Sequence, residues 1–103
     1  MSLITIPAKD IWKYIRETGV VIIDLRSQEE YQEGHIKGAI NVPYDEENEE
    51  IEMNLPKKYT FILYCERGNV SLQIGRKLSK QGYHIVSVYG GIHAYRGKLS
   101  VDE

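Results

Sequence analysis

Two runs, Val20-Val21-Ile22-Ile23 and Phe61-Ile62-Leu63-Tyr64, show no alternation of apolar with polar residues. A strand with one wet face alternates, whereas one that is apolar at every position suits burial on both faces, as in a parallel sheet covered by helices. Parallel neighbours need crossover connections, and the segments between the runs read that way. Ala8, Ile11, Trp12 and Ile15 share a helical face, with Pro7 suited to the first turn and Gly19 to the exit. Ser27 and Glu30 form a capping-box pattern, predicting a short helix from Ser27 through Glu33 that ends at Gly34. Ile40-Asn41-Val42 before Pro43 reads as a short extended piece, and Tyr59 to Tyr64 as a strand. Val70, Ile74 and Leu78 mark a helix closed by Gly82, His84 to Tyr89 a last strand, Gly90-Gly91 a turn and Ile92 to Lys98 a terminal helix. The expected architecture is α/β, a single domain over 1–103 with a largely parallel central sheet of about five strands and helices on both faces.

A chain of 103 residues can bury a core without staples, and its single cysteine cannot form an internal disulfide. That lone thiol and the lack of an apolar leader with a cleavage site lead us to expect a reducing, cytoplasmic setting. No run approaches membrane-spanning length. Thirteen basic against fifteen acidic residues, with no basic stripe, leave no reason to expect a nucleic-acid or membrane partner. The acidic cluster from Asp45 to Glu52 reads as a solvated loop or short helix face, and only secondarily as a docking patch for a basic partner.

Ligands of open α/β sheets bind beyond the carboxyl ends of the strands. Three segments fall there: Asp24-Leu25-Arg26, the loop after Cys65, and Gly90-Gly91. Cys65 stands where a strand gives way to Glu66-Arg67-Gly68-Asn69 and then to a helix. The loop N–H groups and the positive end of that helix favour a thiolate over a thiol. A merely packed cysteine needs no glycine-bearing polar loop after it. Gly68 lacks a Cβ that would obstruct a close turn. Ser71, early in the helix, has a hydroxyl suited either to bonding the sulfur or to capping the turn.

These segments together resemble the rhodanese family, in the form of a single-domain sulfurtransferase. The match is carried by Asp24-Leu25-Arg26 with Glu30-Tyr31 and the run Gly34-His35-Ile36-Lys37-Gly38-Ala39-Ile40-Asn41-Val42-Pro43, by Cys65-Glu66-Arg67-Gly68-Asn69-Val70-Ser71, and by Val88-Tyr89-Gly90-Gly91. The resemblance implies that Cys65 takes a sulfane sulfur from a small donor, thiosulfate or a persulfide, and passes it to cyanide or a thiol. Residues 66–71 would form the substrate-binding loop around it. A protein sulfur-relay partner fits the same chemistry, as does a persulfide carrier or regulatory module with little thiosulfate turnover. Asp24 and Arg26 are supporting candidates, with an ion pair as their simplest role. His35 sits in a turn-like setting, its imidazole suited to satisfying backbone groups, and His84 and His93 lack partners at metal-ligand spacing, so no metal or cofactor is expected. Cysteine phosphatases also cradle an anion after a cysteine, but they need arginine at the sixth following position, which here is Ser71.

One departure matters. Many family members carry arginine at the position of Val70, and here that cation is missing. Arg67 in the same loop is the candidate replacement, with Glu66 of opposite sign beside it. Dianionic thiosulfate should therefore be held weakly. Val70→Arg is expected to raise kcat/KM for thiosulfate by on the order of 1–2 kcal/mol, mainly through KM and less so at high salt. Steady-state thiosulfate kinetics of Val70→Arg and Arg67→Ala test this, and no effect of either substitution overturns it.

Overall fold

The structure, a computed structural model, describes residues 2–101. Five parallel strands form one sheet: β1 (Ser2–Pro7), β2 (Val20–Asp24), β3 (Ile40–Asn41), β4 (Thr60–Tyr64) and β5 (His84–Tyr89), in the order β1-β5-β4-β2-β3. The two apolar runs are the adjacent strands β2 and β4, in register from Val20 opposite Thr60 to Asp24 opposite Tyr64. Their side chains feed two cores. Ile22, Ile62, Tyr64, Val86 and Val88 pack with Ala8 and Ile11 on one face, while Ile23, Phe61, Leu63 and Ile85 pack with Ile74 and Leu78 on the other. Those last two belong to α2 (Asn69–Lys80), so helical segments cover both faces.

The helix α1 (Gln28–Glu33) has its full capping box: the Ser27 hydroxyl accepts from Glu30 N–H at 3.1 Å, and the Glu30 carboxylate accepts from Ser27 N–H at 3.1 Å. Two expected helices come out differently. The first is a 3-10 helix, Ala8–Lys13, with Pro7 at its N-cap. Three residues per turn align Ala8 with Ile11, which are buried, and turn Trp12 out to 67 % exposure. The expected helix from Ile92 to Lys98 is a single 3-10 turn, Ile92–Ala94. Tyr95 is already extended, and the chain doubles back so that Ser100 exchanges backbone bonds of 2.8 and 2.7 Å with His35.

β1 had no counterpart in the sequence reading. It is a half-covered edge strand with Ile4 exposed and Ile6 buried, and Pro7, read as a helix start, ends it.

Asp24 closes β2 with a carboxylate that has no exposure to solvent. It accepts from the Tyr64 hydroxyl at 2.6 Å, from Arg26 N–H at 2.8 Å and from the Arg26 guanidinium at 2.8 to 3.2 Å. That guanidinium also donates to the Gly34 carbonyl at 2.6 Å, and the Tyr64 oxygen accepts from Ile36 N–H at 3.0 Å. Burial and the neighbouring carboxylate hold the Tyr64 phenol far above its ordinary pKa, so it remains a donor. Asn41 closes the same corner, its amide donating to the Asp24 and Arg26 carbonyls at 3.0 and 2.9 Å. The corner therefore holds the ends of β2 and β4 against the 34–41 segment. Tyr64→Phe removes a donor from a buried anion and an acceptor from a buried N–H, and is expected to cost about 1–3 kcal/mol. The check is a lower urea midpoint with an unchanged slope.

Candidate active site

Cys65 follows directly on β4, and α2 begins four residues later, so the polypeptide must reverse within Glu66-Arg67-Gly68. Gly68 makes the reversal at φ +106°, and a Cβ there would lie 3.0 Å from Gly90 N and 3.3 Å from Tyr89 Cα. This brings two N–H groups onto the sulfur: Gly68 N donates to Cys65 Sγ at 3.1 Å and Ser71 N at 3.4 Å. Donors aimed at a sulfur favour its anionic forms, thiolate or persulfide.

The other side of the loop is anchored by the turn after β5. Ile92 N–H donates to the Cys65 carbonyl at 2.9 Å and His93 N–H to the Glu66 carbonyl at 3.0 Å. Gly91 lies so close beneath them that a Cβ would sit 2.5 Å from both carbonyl oxygens. With those carbonyls pinned away from the sulfur, the later N–H groups of the loop face it.

The Ser71 hydroxyl resolves the choice left open above. It donates to the Gly68 carbonyl at 3.2 Å and accepts from the Ser87 hydroxyl at 3.0 Å, so it braces the turn while its backbone N–H serves the sulfur. Ser87, buried in β5, was not singled out in the sequence. A lone polar residue between Val86 and Val88 was the available signal.

Cys65, 6 % exposed, forms part of the wall of an open cavity of about 740 Å³. Leu25, Arg26 and the start of α1 line one side, the segment from Pro43 to Glu47 another, and Glu66 and Val70 the rest. Of the expected loop residues, Gly68 and Ser71 touch the sulfur and Glu66 and Val70 line the cavity. Arg67 and Asn69 point to solvent and are not among the lining residues. Val70 packs against the core cluster of Ile74 and Leu78. Asp24 does not line the cavity; it and Arg26 form the structural ion pair, which leaves the Arg26 side chain only 9 % exposed. His35 stacks on Tyr31 with ring centroids 3.8 Å apart and bonds the Tyr31 carbonyl through Nδ1 at 2.9 Å, a backbone-satisfying role. Among the described residues no three His, Cys, Asp or Glu are grouped to hold a metal ion, and no helix is long and apolar enough to cross a membrane.

Comparison with known proteins gives a consistent result. Residues 7–98 match the rhodanese-like domain family. The thiosulfate sulfurtransferase PspE of Escherichia coli is 42 % identical over 71 residues, covering 68 % of each chain. A tRNA sulfurtransferase of Desulfurococcus amylolyticus is 38 % identical over 79 residues, which are 77 % of this chain and 15 % of that much longer one. Among solved structures, a rhodanese-like domain protein from Staphylococcus aureus superposes with a TM-score of 0.78 at 27 % identity over the full length of both chains.

Because the sulfur uses the Ser71 backbone and the turn uses its hydroxyl, Ser71→Ala should separate the two. We expect a loss of about 1–3 kcal/mol in urea unfolding, from the unpaired Ser87 hydroxyl, since the Gly68 carbonyl still accepts from Leu72 N–H at 3.2 Å. The native rate of Cys65 alkylation should change little, and a collapse of that rate in a folded variant would assign the hydroxyl to the sulfur instead.

Proposed function

The chain belongs to the rhodanese-like domain family, and from that premise we propose that it is a sulfurtransferase working through a persulfide on Cys65. The observation that carries this reading is the pair of N–H groups, from Gly68 and Ser71, converging on a single cysteine sulfur beside an open cavity. In the first step the Cys65 thiolate attacks the outer, sulfane sulfur of the donor. A new S–S bond forms as the donor's own S–S (or S–SO3) bond breaks. The bonding pair leaves on the donor, as sulfite from thiosulfate or as a thiolate from a persulfide. The charge that was on Cys65 Sγ now resides on the terminal sulfur. The two loop donors bond Cys65 Sγ, where the negative charge sits before the transfer and to which it returns when the acceptor takes the sulfur. In the second step cyanide or an acceptor thiolate attacks the terminal sulfur and releases the Cys65 thiolate. The step is a displacement at sulfur, governed by thiolate character, nucleophilicity and access. No histidine is needed as a base once the thiolate is formed.

A persulfide carrier with little thiosulfate turnover is a second reading, favoured by one specific observation. Val70 is packed against the core, and Arg26, the one cation among the described cavity-lining residues, is spent on Asp24. In this reading the donor is a persulfide and the acceptor a thiol, each of a small molecule or of a relay protein, in a reducing, cytoplasmic setting that keeps a lone cysteine unpaired.

Intact mass spectrometry after treatment with thiosulfate or with cysteine persulfide distinguishes the readings. Both donors should add one sulfur atom to the wild-type chain, cyanide should remove it as thiocyanate, and Cys65→Ser should show neither event while keeping its fold. Residual thiocyanate production by Cys65→Ser would falsify the assignment. Loading by the persulfide alone selects the carrier.

A further inference from the structure

The acidic cluster beginning at Asp45 has no part in the chemistry above, yet the fold carries its first residues to the sulfur. Asp45, Glu46 and Glu47 line the same cavity as Cys65, facing Glu30 of α1 and joined by Glu66 of the loop. The segment is docked in place. Asp45 and Glu50 form an isolated antiparallel bridge, with Asp45 N–H donating to the Glu50 carbonyl at 2.9 Å, and Lys77 of α2 reaches across to the Glu49 carbonyl at 2.6 Å. The Asn48 amide, at 2.7 Å, and the Glu47 and Asn48 N–H groups bind the Asp45 carboxylate and hold it below the usual carboxylate range. Glu30 is tethered at the α1 N-cap. Against these acids stands Arg26, already paired with buried Asp24.

Charge of one sign lining a concave mouth focuses the field on whatever enters, and its effect is felt chiefly in association. A sulfur donor or acceptor must bring its own anionic sulfur to Cys65, so a mouth of the same sign penalises it unless it also brings positive charge. We infer that the carboxylates of Glu30, Asp45, Glu46, Glu47 and Glu66 make this site selective for sulfur partners that carry cationic groups beside the reacting sulfur, as a cysteine in a basic protein segment does. The inference takes Cys65 as the reacting sulfur, as in the proposed function.

Thiol–disulfide exchange reads this selection without requiring a persulfide. The Cys65 thiolate attacks one sulfur of a symmetric disulfide. The mixed disulfide forms as the original S–S bond breaks, and half of the reagent leaves as thiolate. The probes are dicationic cystamine and dianionic dithiodiglycolate. Each rate with the intact protein is divided by the rate of the same reagent with neutral mercaptoethanol, to remove intrinsic reactivity. At low ionic strength the normalised rate should favour cystamine by about tenfold or more. The ratio should fall toward one at ~1 M sodium chloride, where the screening length is about 3 Å. Glu46→Gln combined with Glu47→Gln should lower the ratio, whereas Glu17→Gln, remote from the cavity, should leave it intact. A ratio near one at low salt, or one indifferent to salt, overturns the inference even if the double variant does not fold. Charge selection without sulfur loading in the mass experiment overturns the proposed function and leaves this inference standing.

Discussion

A carboxylate placed wholly inside a small α/β domain is tolerable only with donors on every side, and the whole active end of this molecule is arranged around one. Asp24 takes bonds from Tyr64, from the Arg26 guanidinium and from the Arg26 backbone. Removing one partner of such a buried pair characteristically costs about 3–5 kcal/mol, because the other charge is left behind. The pair need not exceed an apolar core in stability to matter. Its value here is geometric: it joins the last residues of two central strands to the segment that follows α1. Cys65 is the next residue after Tyr64, so the sulfur's position inherits the accuracy of that corner.

From that fixed point the loop divides its labour between backbone and side chains. Backbone N–H groups from Gly68 and Ser71 face the sulfur, while carbonyls of Cys65 and Glu66 are drawn off by the turn after β5. Among the described residues, no loop side chain bonds the sulfur. Ser71 and Ser87 brace the turn from below, and the bulky or charged residues of the loop either pack on the core, as Val70 does, or stand in solvent, as Arg67 does. A site built this way tolerates change at many loop positions, because the groups that hold the sulfur are common to nearly every residue type. It is intolerant at Gly68 and Gly91, where the neighbouring backbone leaves no room for a Cβ.

Much of this was legible in the chain. Unbroken apolar runs announced buried parallel strands, the Ser27–Glu30 pair marked the start of α1, and glycine and polar residues after Cys65 marked the loop. Each of those signals is local, set by residues within one turn or strand of each other. What escaped depends on distant partners. β1 is made a strand by β5, more than eighty residues away, rather than by its own mixed pattern. Trp12 followed a helical spacing that a 3-10 helix does not honour. Ser87 gains its meaning only opposite Ser71, and the acidic residues from Asp45 onward only across the cavity from Cys65. The expected helix from Ile92 to Lys98 stops after one 3-10 turn, and Ser100 beyond it pairs with His35, a partner more than sixty residues away.

The turn after β5 also sets the order in which the site can come into being. Its N–H groups hold the carbonyls of Cys65 and Glu66, and β5 itself supplies both the brace beneath Ser71 and the neighbour that β1 needs. Parallel pairings of such separation form late, since the entropy of closing the chain must be met before they contribute anything. During synthesis the thiol therefore leaves the ribosome well ahead of the residues that arm it. Until the stretch from His84 to His93 has emerged and docked, the loop after Cys65 lacks the contacts that hold its carbonyls and brace Ser71. The pair of N–H groups on the sulfur belongs to the finished fold and not to the nascent chain.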